Sequence, residues 1–169
     1  MTSYYFFEET PNHHPLCIAV ENGHRDIVEF LVKYGCDISM QNPQSLSLLC
    51  LAAIHEHTDM VQTLLNLGAQ QNIQHYFKDN SPIQIASYKG NQKIDQKIVE
   101  ILVNHSPETN RPTRQQMQAA LECALLEHHL HIVTLLLQSG VDLDFYFEHR
   151  EPKSCRFLSY GQWNKARWN

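Results

Sequence analysis

Four times along the chain a short motif ending in alanine is followed, after a short gap, by a run of aliphatic residues. The first motifs read HPLCIA at 14–19, SLLCLA at 47–52, SPIQIA at 81–86 and AALECA at 119–124. The aliphatic runs are DIVEFLVKYG at 26–35, DMVQTLLNLG at 59–68, KIVEILVNHS at 97–106 and HIVTLLLQSG at 131–140. Self-similarity at this period means a stack of supersecondary units, each too small to bury its own apolar face.

Registering the units on Ala19, Ala52, Ala86 and Ala124 gives steps of 33, 34 and 38 residues. From the alanine to the first aliphatic of the following run the distance is 8 residues in three units but 12 between Ala86 and Ile98, so the third unit carries an insertion, QKID, at 92–95. About one helical turn is added. Either a lengthened second helix or a longer inter-helix turn is expected there.

Each unit reads as two short antiparallel helices. The first, of roughly ten residues, starts at His, Ser or Ala near a proline, as at Pro15 and Pro82, where fixed φ and a missing N–H suit a first turn. The second has aliphatics at helical spacing, Ile27, Val28, Leu31 and Val32 in unit one and Val61, Leu64 and Leu65 in unit two, which predicts a buried stripe. It stops at Gly35, Gly68 and Gly140, where a left-handed cap needs no Cβ. Into unit four the linker PETNRPTRQQMQ lacks glycine. Thr113 with Gln116 three residues on has the form of a capping box, so a helix starts early there.

These residues resemble the ankyrin repeat family. Its pattern of Thr-Pro-Leu-His-x-Ala, Gly-His and Ile-Val-x-x-Leu-Leu-x-x-Gly-Ala-Asp is met by Pro15, Leu16, Ala19, Gly23, His24, Ile27, Val28, Leu31, Gly35 and Asp37, and in part by each later unit. The resemblance implies an all-α solenoid of helix-turn-helix units with finger loops: an N-terminal cap over 1–8, repeats over about 9–41, 42–75, 76–113 and 114–144, and a C-terminal cap or tail over 145–169. Both end segments are rich in aromatics, Tyr4 to Phe7 and Phe145 to Trp168, as the apolar ends of a solenoid require.

Charge and chemistry narrow the function. Of the formal net charge of −5, residues 145–169 contribute five basic against two acidic residues, or +3, leaving −8 on the body. An acidic body is a poor nucleic-acid groove, and no apolar run is long enough to span a membrane; neither partner is expected except through the basic tail. Five cysteines without a CxxC pair point to reduced thiols, with Cys17 and Cys50 as buried packing residues. A cytoplasmic protein, or one delivered into a host cytosol, is expected. No catalytic signature is present, so no enzymatic activity and no cofactor are expected. The histidines, at His55/His57 and His128/His129/His131, lack the spacing of a zinc site. His24, His57 and His129 share one repeat position, where the resemblance implies helix-start hydrogen bonding.

The resemblance further implies a concave face of finger tips and first-helix positions that binds a protein. Carried over, that face is Met40, Gln44 and Leu46 on the first finger, His75, Tyr76, Phe77 and Lys78 on the second, and His55, Tyr88, Lys89 and Glu127 on the helices. A monomer with one protein partner is expected, with a host-directed bacterial effector or a regulatory or immunity-type binder of an endogenous enzyme as its role. The family pattern also marks Asn72 as a candidate substrate of an asparaginyl hydroxylase.

Overall fold

A computed structural model of the chain describes residues 14–43, 45–72, 81–91, 93–104 and 110–141. Among them are eight helices, in order α1 (Pro15–Glu21), α2 (Arg25–Lys33), α3 (Leu48–Ile54), α4 (Thr58–Asn66), α5 (Pro82–Lys89), α6 (Ile94–Asn104), α7 (Arg114–Leu126) and α8 (Leu130–Gln138). They pair as α1–α2, α3–α4, α5–α6 and α7–α8, and the pairs stack in chain order. First helices form one layer, α1 on α3, α3 on α5 and α5 on α7; second helices α4, α6 and α8 form the other. An all-α solenoid is the result.

Helix starts follow the sequence closely. Ser47, Ser81 and Thr113 are N-caps whose hydroxyls accept from the amides of Cys50, Gln84 and Gln116. At Ser81 and Thr113 the glutamine three residues on returns the bond, accepting from the cap amide at 3.0 and 2.9 Å, so two otherwise orphaned donors are satisfied at each start. The first helices are shorter than the expected ten residues, spanning 7, 7 and 8 in α1, α3 and α5. Only α7, started early by its capping box, exceeds that, at 13 residues. The insertion in unit three lengthens the second helix, to 11 residues in α6 against 9 in α2, α4 and α8.

One continuous core runs through both layers. Ala19, Ala52, Ala86 and Ala124 are at most 3% exposed, and their small side chains let successive first helices approach. Around them Leu16, Leu49, Ile83 and Leu121, with Leu64, Ile98, Leu102, Ile132 and Leu136, are buried to at least 99%. Burying each such side chain contributes about 1.5–3 kcal/mol.

The stripe expected on α2 needs correction. Val28 is buried, but Ile27 is 45% exposed, whereas its counterparts Met60, Ile98 and Ile132 are at most 1% exposed. Units two to four each stack on a preceding unit, and no described unit precedes α2. Ile18, Phe30 and Tyr34 are exposed as well, with the Phe30 and Tyr34 rings 4.4 Å apart.

The linker between units three and four is held onto unit two by a buried amide. Asn110 accepts from the Gln71 amide at 2.8 Å and donates to the Ala69 carbonyl at 2.9 Å. The Gln71 side chain in turn donates to the Leu102 carbonyl at 3.0 Å. A glycine-free linker is tolerated because side chains supply the pairing that a tighter turn would supply with backbone.

Candidate functional site

The candidate site is a row built from the C-terminal ends of the first helices. Three of these helices end two residues after the core alanine, at Glu21, Ile54 and Leu126, and α5 ends one residue later, at Lys89, so Glu21, Ile54, Tyr88 and Leu126 hold equivalent places in the four units. Carbonyls at the end of a helix lack intrahelical partners, and for Glu21, Ile54 and Tyr88 the next unit supplies one. His57 Nε2 bonds the Glu21 carbonyl at 2.9 Å, Lys89 Nζ donates to the Ile54 carbonyl, and His129 Nε2 bonds the Tyr88 carbonyl at 3.1 Å.

The histidines therefore act differently from the expected helix-start role. His24, His57 and His129 are N-caps of α2, α4 and α8, yet none caps its own helix through its side chain. Their ψ angles of 70–81° lie away from the extended conformation that aims a cap side chain at its own helix amides. The rings of His57 and His129 instead reach back 36 and 41 residues. In unit three Asn91 follows the turn glycine where the others have histidine, and its Nδ2 donates to Glu56 at 3.3 Å. Lys89, two residues earlier, takes over the carbonyl.

Lys89 also pairs with Glu56 at 2.9 Å, with both side chains about 30% exposed. Its ammonium thus braces unit three on unit two, a structural duty beyond the binding role expected for it. His55 lies half-buried beside this pair, near Glu21, His57 and Lys89; burial pushes its pKa below the usual histidine value. Tyr88 is half-buried, and its phenol is held above its usual pKa by burial and then by the neighbouring Glu127 carboxylate. His55 and Lys89 are thereby neighbours, as are Tyr88 and Glu127. Leu126, at the end of α7, is 50% exposed beside them.

The first finger is a short hairpin. Gln41 and Ser47 form an antiparallel bridge, and the Asn42 amide donates to the Leu46 carbonyl at 2.9 Å while its side-chain oxygen accepts from the Leu46 amide at the same distance. Met40 and Leu46 are half-buried and pack on the core rather than standing clear of it. Gln44, His75, Tyr76, Phe77 and Lys78 lie outside the described residues, as do 1–8 and 145–169. Asn72 is half-buried, and its Nδ2 donates to the Arg111 carbonyl at 2.9 Å, tying the second finger to the next linker.

Cys17 and Cys50 are fully buried, and desolvation pushes their thiols up to about 11 and about 12, far from a reactive thiolate. His55 with His57, and His129 with His131, have ring centres 6.0 and 6.1 Å apart. Among the described residues no three His, Cys, Asp or Glu side chains converge as metal ligands would.

One concavity has little signature in the sequence: a groove of about 710 Å³ between α6 and α8, floored by the linker at Arg111 and Pro112 and walled by Gln96, Glu100, His131 and Gln138. The insertion in unit three and the long linker after it are its only signals.

Comparison with known proteins agrees with this architecture. A family profile described as ankyrin repeats (3 copies) matches residues 5–75 and 49–146. No individual curated protein matches the chain. Among the described residues no helix is long and apolar enough to cross a membrane. With its period, its paired helices and these matches together, the chain belongs to the ankyrin repeat family.

Proposed function

We propose that the chain is a non-enzymatic recognition module that binds one protein partner along the row of first-helix ends and finger tips. Ankyrin repeats generally mediate protein–protein binding, and the family is generally non-enzymatic. The observation that carries the reading is the register of Glu21, His55, Tyr88, Lys89, Leu126 and Glu127 along one row, held by side-chain bonds to carbonyls of the preceding unit. A surface braced in this way binds with little ordering cost. Tyr88 beside Glu127 supplies the aromatic and polar pairing typical of an interface hot spot.

Tyr76, Phe77 and Lys78 on the second finger extend the proposed face, with Gln44 on the first. Action as a host-directed effector and control of an endogenous enzyme would both use it. Affinity capture with the intact chain, from host and from bacterial extracts in parallel, separates the two roles. The reading expects a protein retained by the intact chain and lost when Tyr88 and Tyr76 are both alanine; equal retention by the variant would remove this face as the binding site.

Hydroxylation of Asn72 is the alternative carried by the family pattern. Its side chain must first leave the Arg111 carbonyl, so the modification would act on an opened linker. A one-oxygen mass increase on the peptide containing Asn72, after exposure to an asparaginyl hydroxylase, is the test.

A further inference from the structure

The four inserted residues in unit three bring in an acid that is buried, whereas the first-turn acids of α2 and α4, Asp26 and Asp59, are exposed. Asp95, in the first turn of α6, is 0% exposed. One carboxyl oxygen accepts from the Asn91 amide at 2.7 Å; the other, Oδ1, is buried and no described group donates to it. Burying a carboxylate with half its acceptors unmet is costly. The groups that bear on it come from three neighbouring elements: Glu56 in the α3–α4 turn, Lys89 at the end of α5 and His129 at the start of α8. Lys89 is already shared between Glu56 and the Ile54 carbonyl, and His129 already bonds the Tyr88 carbonyl.

We propose that the Asp95 carboxyl makes the junction between units two, three and four proton-sensitive, so that mild acidification tightens it and neutral pH leaves it the easiest place for the array to open. In its ionised form the acid has no counter-charge of its own and adds repulsion toward Glu56; taking up a proton removes both penalties. Burial, then the charge of Glu56, outweighs the Asn91 amide, Lys89 and His129, and lifts the Asp95 pKa from 3.8 to about 6.

The direction of the effect follows from linkage. A carboxyl whose pKa is raised by folding penalises the folded state in full above the folded value, and the penalty fades as pH falls from about 6 toward 4. His55 and His131 work in the opposite sense, since burial lowers both and their protonation opposes folding. A bare stability profile therefore mixes the two, and only a paired comparison isolates Asp95.

The experiment uses the full chain and Asp95→Asn, which keeps the oxygen that accepts from Asn91. Unfolding constants are measured by denaturant at pH 7.5 and pH 4.5. Asp95→Asn should unfold less readily than wild type at pH 7.5, by about ten- to a hundredfold in the constant, with the gap shrinking at least severalfold by pH 4.5. In wild type, ¹³C-NMR of the Asp95 carboxyl should show titration near pH 6. Titration below pH 4.5, or a gap between the two proteins that does not change with pH, would overturn the proposal.

Discussion

The imidazole of His129 occupies the space where a side chain on Gly90 would begin: a Cβ built on Gly90 falls 1.9 Å from His129 Nε2. The two residues meet across units three and four. The same relationship, looser, joins Gly23 to His57, where the built Cβ would be 3.2 Å from the ring. Both glycines have positive φ, 62° and 71°. Yet Glu56 and His128 hold the equivalent turn positions with φ of 59° and 60°. The difference lies in the neighbouring unit. Unit three offers Asn91 instead of a histidine over Glu56, and no described unit stacks beyond His128. Glycine is thus required where the next unit lays a ring on the turn, and dispensable where it does not.

Gly90→Ala is accordingly expected to destabilise the protein by about 2–4 kcal/mol, combining left-handed strain with a clash against a packed ring. A double-mutant cycle with His129→Ala checks the cause. Alanine at 90 should cost only about 1 kcal/mol once the ring is absent. An equal cost in both backgrounds would assign the requirement to backbone conformation alone.

The converse substitution is His128→Gly, at an exposed position with φ of 60°. Relief of left-handed strain exceeds the extra chain entropy of glycine there, so stability should rise by about 0.5–1 kcal/mol. Thermal unfolding of the single variant reads this directly. A fall in the midpoint would mean that the His128 side chain makes a contact worth more than the strain.

Lys89→Met removes the donor to the Ile54 carbonyl and the partner of Glu56. Loss of about 1–2 kcal/mol is expected from the charged hydrogen bond, the ion pair adding little at its exposure. Because the carbonyl bond resists screening better than the pair, most of the loss should persist at about 1 M salt. Complete disappearance of the effect in high salt would contradict the bracing role.

Asn110→Ala leaves the Gln71 amide and the Ala69 carbonyl without their partner in a buried linker. Two unmet backbone groups predict a cost of about 2–4 kcal/mol. Hydrogen exchange of the Gln71 amide should accelerate more than that of amides in α3. Uniform acceleration across the array would show global loss instead of a local one.

Much of the architecture is readable from the chain. The period, the insertion in unit three, the capping box at Thr113 and the burial of Cys17 and Cys50 all depend on neighbours in sequence or on repetition, while the same insertion allows either a longer helix or a longer turn until its packing is known. What escapes depends on partners 31–41 residues away: the Lys89 bond to the Ile54 carbonyl, the Asn110 bracket and the reach of His57 and His129 to the preceding unit. Spacing within a unit carries no record of which donor in the next unit meets a given carbonyl. Ile27 departs from expectation for a related reason. Its sequence matches that of its buried counterparts, and its exposure depends on the neighbour it faces. In the candidate site, register places His55, Tyr88, Lys89 and Glu127 together, while Lys89 is engaged in the stack and Met40 and Leu46 in the core.

The binding face is tested most directly at Tyr88, whose side chain lies at the row and whose carbonyl meets His129. For the protein recovered by affinity capture, dissociation constants are measured with wild type and Tyr88→Ala, alongside denaturant midpoints for both. The account predicts a loss of about 1–3 kcal/mol in affinity, roughly five- to 150-fold, with the array still fully folded at the assay temperature. Unchanged affinity in a folded Tyr88→Ala protein would contradict it.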